Sequence, residues 1–226
     1  MATYPRRSEL TGMRRSDVLR ASPRMFESDL LDRLSRVHWS VPLFIFLPAI
    51  AVVLVLSLQR MAVWEVALWA LGGYVFWTLT EYWLHRVVFH FEPEEGIGAR
   101  LHWIIHGVHH DHPNDPLRLV MPPSVSVPLA ALFFGLFVLV LGTPAAYAAS
   151  VGFWAGYLGY DMLHYYVHHL PGGRKPRAWL PRKLHELHMR HHFKEVDKAY
   201  GVSAPFWDYV FGTAAAGGSR RKRVAR

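Results

Sequence analysis

The sequence has no cysteine. That excludes disulfides, thiolate metal sites, cysteine-ligated iron–sulfur clusters and covalently attached haem. Charge is the second scarcity. Residues 39–58 carry no charged side chain, residues 61–80 carry only Glu65, and residues 119–160 carry none. A helix that crosses a bilayer needs roughly 20 apolar residues, so the first two runs each predict one span and the third predicts two. Gly142, Thr143 and Pro144 divide the third run, because glycine and proline together disfavour helix continuation. A glycine-rich dinucleotide fingerprint is also missing: after Gly96 and Gly98, Leu101 stands where a third glycine belongs. Neither nicotinamide nor flavin is expected. Nor is a secretory leader, because Trp39 lies far from the start and the run it opens is too long for a leader's apolar core.

Basic charge and histidine are what the chain has in excess. The 226 residues carry a net charge of +8 and include fifteen histidines. Basic charge could suit nucleic acid, but the arginines and lysines sit beside the apolar runs, so a membrane explains them better and no nucleic-acid partner is expected. Apart from Arg60, every lysine and arginine lies in the two tails or in the two polar segments that hold the histidines. The positive-inside rule therefore puts both termini and all the histidines on the cytoplasmic side of a multi-pass protein. Residues 1–38 read as a basic cytoplasmic tail. Within them, residues 25–37 form either an interfacial amphipathic helix, with Phe26, Leu30, Leu31 and Leu34 on one face, or part of a disordered tail. Trp39, Trp64, Trp77 and Trp83 suit interfacial positions.

All histidines but His38 fall in residues 85–112 and 164–192. Neutral imidazole binds iron, zinc, copper and nickel. A helix turns about 100° per residue, so positions i, i+3 and i+4 share a face. His106, His109 and His110 meet that condition, His188, His191 and His192 repeat it, and His164 and His168 form an i, i+4 pair. His85 and His90 are five apart and need a distorted turn. These candidate ligands exceed what one ion takes, roughly four to six, and fit two. Asp161, Glu186, Asp197, Asp208 and Glu81 are candidate acceptors for the imidazoles' other N–H, or else surface acids. His102, His112, His169 and His185 are donors behind the ligands, substrate-side residues or exposed. His185-Glu186-Leu187-His188-Met189 misses the metalloprotease HExxH pattern, because its fifth position is Met189.

Several stretches together carry a resemblance: His85-Arg-Val-Val-Phe-His90, Ile105-His-Gly-Val-His-His110, Arg118-Leu-Val-Met-Pro-Pro123, Tyr160-Asp-Met-Leu-His164-Tyr-Tyr-Val-His168-His169, His188-Met-Arg-His-His-Phe193, Gly201-Val-Ser203 and Trp207-Asp-Tyr-Val-Phe-Gly-Thr213. The chain resembles the fatty acid hydroxylase/sterol desaturase superfamily, and within it the fatty acid 2-hydroxylases. The resemblance implies an all-α integral membrane fold, four transmembrane helices capped by a cytosolic helical domain with a histidine-rich di-metal site. It implies a catalytic domain over residues 39–213, followed by a basic cytoplasmic tail at 214–226. It implies ten metal ligands at His85, His90, His106, His109, His110, His164, His168, His188, His191 and His192. The implied cofactor is a pair of metal ions, iron for function, though imidazole accepts zinc as readily. The implied reaction is O2-dependent hydroxylation of a lipid acyl chain at C2. Phe206 and Trp207 are expected near the chain's way in, or else packed toward the membrane.

Relatives of this type often carry an N-terminal cytochrome b5 domain, for which 38 residues are too few. The electron donor is therefore expected to be a separate protein, cytochrome b5-like or a ferredoxin/reductase system. The same metal core could serve a sterol or carotenoid hydroxylase or desaturase. A histidine-rich metal-binding or transport protein is the other class, but it would place polar ligands inside the spans, and these spans offer almost none.

Overall fold

The computed structural model describes residues 12–93, 95–170 and 175–216. The arginine pair at 6–7, the glycine-containing loop at 171–174 and the basic run at 220–226 lie outside them. Among the described residues every regular element is a helix: α1 (Arg15–Arg20), α2 (Asp29–Leu34), α3 (Val41–Leu58), α4 (Val63–Trp83), α5 (Gly96–His102), α6 (Val108–Asp111), α7 (Pro123–Leu141), α8 (Ala145–His168), α9 (Trp179–Phe193) and α10 (Phe206–Val210). There are also two π-helical segments: Leu84–Phe89 extends α4, and Trp103–Gly107 joins α5 to α6.

The apolar runs become α3, α4, α7 and α8, and the break at 142–144 falls where glycine and proline predict it. Gly142 ends α7 with φ at 67°, a left-handed value that glycine tolerates. The one charge inside the second run also has a local reason: the Glu65 carboxylate accepts the Ala62 N–H at 2.8 Å at the start of α4, where a negative charge suits the helix dipole. Of these four helices, α3 and α7 are long and apolar enough to cross a membrane by length and composition. The other two are long enough but more polar toward their ends, where α4 carries Glu81 and α8 carries Asp161, His164 and His168.

α8 is the central helix, contacting α3, α4 and α7. Small residues bring α4 and α8 close together. A Cβ added at Gly73 would overlap the Ala149 carbonyl oxygen, and one at Gly152 would overlap that of Ala70. Such small-residue contacts hold helices together where hydrophobic exclusion from water is weak. Below this contact, Phe46, Trp77, Phe153, Tyr157 and Tyr160 form an aromatic core, with Trp77 edge-on to Phe153 at 5.3 Å. Trp77, expected at an interface, is thus a core residue, whereas Trp39, Trp64 and Trp83 are exposed. The amphipathic segment at 25–37 condenses to the short helix α2. Met25 and Phe26 precede it, and the Asp32 carboxylate accepts the Met25 N–H at 2.7 Å.

Candidate metal centre

The histidines gather at one end of the bundle, where α4 and α8 end and α9 packs against α8. The first π-helical segment answers the awkward spacing of His85 and His90. A π turn closes N–H(i+5) onto C=O(i), and the His90 N–H donates to the His85 carbonyl at 3.1 Å. The rings then lie 5.0 Å apart.

Two groups of five imidazoles result, each with its ligand nitrogens within 4.8 Å of one another. One comprises His85, His90, His106, His110 and His191; the other comprises His109, His164, His168, His188 and His192. All ten histidines singled out from spacing and resemblance are in these groups. Each group takes one pair from the end of a long helix, one i, i+4 pair from a shorter helical stretch, and the i+3 residue of the opposite triad. His109 leaves His106 and His110 for the second group; His191 leaves His188 and His192 for the first. Adjacent residues on a helix diverge by about 100°, so His109 and His110 aim at different points, as do His191 and His192.

The donor set fits metal. In the first group the Nε2 atoms of His85 and His106 approach to 3.2 Å, those of His106 and His110 to 3.0 Å, and those of His90 and His191 to 3.0 Å. In the second, His109 and His164 approach to 3.1 Å, His168 and His188 to 2.8 Å, and His188 and His192 to 3.1 Å. The His85 Nδ1–H donates to the Tyr200 carbonyl at 2.6 Å, and the His191 Nδ1–H to the Lys198 carbonyl at 2.7 Å. With the proton on Nδ1, Nε2 of each neutral ring presents a lone pair to its group, and converging lone pairs call for a cation. Burial first, and the neighbouring imidazoles next, hold His85, His106, His109, His188 and His192 well below the usual imidazole range. Burial likewise pushes His90 and His191 down to about 4 and His110 to about 2. These rings are neutral at pH 7, as ligation requires.

The carboxylates stand further back. Asp208 accepts the N–H groups of Tyr200 and Gly201, both at 2.9 Å, and the Thr213 hydroxyl at 2.7 Å. It therefore reaches His85 through the Tyr200 carbonyl. Glu81 accepts the N–H of Ser203 at 2.8 Å, and its hydroxyl as well. Asp161 accepts the Tyr157 hydroxyl at 2.9 Å and the Met121 N–H at 3.3 Å. Glu186 pairs with Lys175 at 3.7 Å. His169 donates through Nδ1 to the Tyr165 carbonyl at 3.1 Å and stacks on that ring. His112 and His185 also donate to backbone carbonyls, those of Val18 and Val167. His102 lies 3.9 Å from Glu92, and His38 lies beside Ser40.

The acceptors that sequence reasoning missed are the carbonyls of Lys198 and Tyr200. Between them Ala199 adopts a left-handed φ of 57°, a conformation costing about 1–2 kcal/mol for a residue with a Cβ. Its N–H donates to the Thr213 carbonyl at 2.9 Å. Every residue has a carbonyl, so only the unusual turn marks these two, and alanine gives no sign of it.

An apolar cavity of about 280 Å³ opens beside the histidines. His106 from the first group and His109 and His164 from the second stand in its wall, with Phe89, Ile104, Val108, Leu119, Val120 and Tyr160. Phe206 and Trp207 are not among its lining residues; Trp207 instead donates its indole N–H to Thr78 at 3.1 Å.

Fold and site together define a helical protein with two adjoining polyimidazole groups suited to a metal pair and an apolar cavity against both. A family model described as fatty acid hydroxylase matches residues 69–213, and the chain belongs to that family. It is 40% identical over 194 residues to a dihydroceramide fatty acyl 2-hydroxylase of Arabidopsis thaliana, covering 84% of this chain and 79% of the relative. It is 38% identical over 192 residues to a ceramide very long chain fatty acid hydroxylase of Saccharomyces cerevisiae, covering 82% of this chain and 48% of that longer protein. A solved structure of full-length scs7p, in which only the hydroxylase domain is visible, superposes with a TM-score of 0.78 at 36% identity, covering 85% of this chain and 72% of that one.

Proposed function

We propose that this protein is an integral-membrane, non-haem di-iron oxygenase that hydroxylates a lipid acyl chain at C2. The observation that carries this reading is the cavity: its wall is mainly apolar, with Arg118 and Asp161 as its charged members, and it ends on imidazoles from both groups. A methylene chain suits such a wall, and a carbon held there lies beside both metal positions. The choice of C2 draws on the relatives, several of which are named 2-hydroxylases, among them the fatty acid 2-hydroxylase of Rattus norvegicus at 34% identity.

His85, His90, His106, His110 and His191 would hold one ion, and His109, His164, His168, His188 and His192 the other. When bound, two iron ions supply reductive activation of dioxygen. Overall, a C2–H bond, dioxygen, two electrons and two protons become a C2–OH and water. The chain's own part is to hold the acyl carbon in place and to keep water away from the site, which Phe89, Ile104, Val108, Leu119 and Val120 do by lining the cavity.

In this reading α3, α4, α7 and α8 cross the membrane, residues 39–213 form the catalytic domain, and the basic tails and the metal centre face the cytoplasm. The placement of lysine and arginine supports it, as do the exposed apolar faces of Phe44, Leu47, Leu68, Leu71, Leu132 and Leu139. Electrons come from a cytochrome b5-like or ferredoxin/reductase donor. Zinc in place of iron leaves the protein folded and inactive. Lipid mass spectrometry on cells expressing the wild type beside His191→Ala, with iron and a reductase supplied, tests the proposal. A C2 hydroxyl on acyl chains that depends on His191 is the expected result. A new hydroxyl or double bond on a sterol or carotenoid would move the substrate, and no lipid change would sink the oxygenase reading.

A further inference from the structure

The family match begins at residue 69, yet the cavity needs residues well before it. Met25, Phe26, Leu31, Leu34 and Ser35 complete the wall facing residues 118–125. They belong to a strap tied at both ends. The His112 Nδ1–H donates to the Val18 carbonyl at 2.6 Å and the Asn114 N–H to the Leu19 carbonyl at 2.9 Å. At the other end the Val37 N–H donates to the Leu117 carbonyl at 2.6 Å. Between them Arg118, its side chain only 3% exposed, pairs with Asp32 at 3.1 Å and donates to the Pro23 carbonyl. The polar groups of the strap carry the ties, which leaves Phe26, Leu31 and Leu34 to the cavity.

Exposure along the cavity is graded. Met25 is 3% exposed, as is Val120, and the three imidazoles are buried. Leu31 and Leu34 are each 50% exposed, and Val125 is 51%. The imidazoles therefore mark the floor, and Leu31, Leu34, Val125 and the 49% exposed Ile105 mark an apolar mouth.

Resting on the acyl-hydroxylase reading, we infer that the N-terminal strap is the wall against which the acyl chain runs, and that Leu31 and Leu34 set which chain lengths the enzyme accepts. The occupant is a methylene chain because the mouth is apolar and continuous with the metal floor. If C2 lies at the floor, the carbons beyond it must leave past α2. A bulky side chain at the mouth blocks that exit, so only shorter acyl tails fit inside; a smaller one relaxes the limit.

Two measurements on the full-length, metal-loaded protein test this. In the first, Leu31→Trp and Leu34→Trp are compared with Leu31→Ala for the chain lengths of 2-hydroxy products. Both positions are half-exposed, so the fold tolerates the changes. The tryptophan variants should lower the ratio of long to short products several-fold, and Leu31→Ala should not. The second uses an acyl probe with a diazirine near its methyl end, photolysed and mapped by peptide mass spectrometry, which needs no turnover. Labels within residues 25–35, competed by unlabelled fatty acyl amide, are expected. Hydroxylation with an unchanged length profile, or labels confined to residues outside the strap, overturns the inference. A wild type that binds the probe on the strap but forms no 2-hydroxy product leaves the inference standing and removes the proposed reaction.

Discussion

The two imidazole groups share a plan but are steadied by different means. The first is braced from outside. His85 and His191 donate to carbonyls of a tight turn, and that turn is held from two parts of the chain, by Glu81 on α4 and by Asp208 and Thr213 at and just after α10. Four of the five rings of the second have no such brace: the Nδ1 atoms of His109, His168, His188 and His192 are buried and have no hydrogen-bond partner among the described residues. Its rings are positioned by helix packing and by one another, with His109 edge-on to His164, His168 and His192 at 4.6–4.8 Å. An outer hydrogen bond fixes the tautomer and orientation of a ligating imidazole and raises its basicity. One ion would therefore sit in a preset cage, while the other would rely on the bundle.

The crossed histidines break this comparison most severely. His191→Ala removes an imidazole of the braced group and His109→Ala one of the packed group, although each residue lies on the helix that feeds the other group. Each should lower activity more than roughly 100-fold, because losing even an outer partner costs about 10–100-fold. Metal analysis should show each variant losing about one of two ions. Loss of both ions from either variant would show that the groups fill as one unit, and the contrast between them would fall.

Asp208→Asn sharpens it. The variant leaves every imidazole in place but weakens the clamp on Tyr200 and Gly201. Metal affinity should drop about 10–100-fold at one site only, read as a biphasic loss of metal during chelator titration. Equal weakening of both sites would mean that Asp208 supports the fold rather than the first group.

Gly152→Val is the counterpart that should not distinguish them. The added side chain meets the Ala70 carbonyl on α4, and α4 leads to the first group while α8 carries part of the second. Overpacking among side chains typically costs about 1–3 kcal/mol, and this overlap is with fixed backbone, so the cost should exceed that range. Thermal unfolding should move down while the ratio of the two metal affinities stays unchanged; a selective loss of one ion would refute the idea that this contact supports both groups alike.

Much of this was legible in the sequence, for reasons that also explain the rest. Missing charge marked the long helices, and Gly142 with Pro144 marked the break between α7 and α8. Periodicity identified His106, His109 and His110 as neighbours but assigned them to one face. The divergence of adjacent residues sends His109 elsewhere, which becomes apparent only when a second set of imidazoles stands on the other side. The spacing of His85 and His90 said that the helix must distort, not that a π turn would do it. The carboxylates were expected to touch imidazole directly, and Asp208 acts one carbonyl away. The strap was visible as an apolar face at Phe26, Leu30, Leu31 and Leu34, with nothing in the sequence to say that it closes a cavity or that Leu30 stays exposed outside it.

The smallest effect tests how finely the brace is tuned. Ser203 gives Glu81 both its N–H and its hydroxyl. Ser203→Ala removes the hydroxyl and keeps the N–H, so Glu81 loses one of its hydrogen bonds to the turn and keeps those from the backbone of Val202 and Ser203. A hydrogen bond to a protein group contributes about 1 kcal/mol net, and about 1.4 kcal/mol is a tenfold change in an equilibrium. If all of that reached the metal, the braced site would weaken about fivefold. Part of it should instead be absorbed by the turn, which Asp208 still holds, so the expected change is about twofold to fivefold at the first site and none at the second. A change as large as that of Asp208→Asn would make Glu81 the principal support of the turn. No change at either site would leave Asp208 and Thr213 as its whole support.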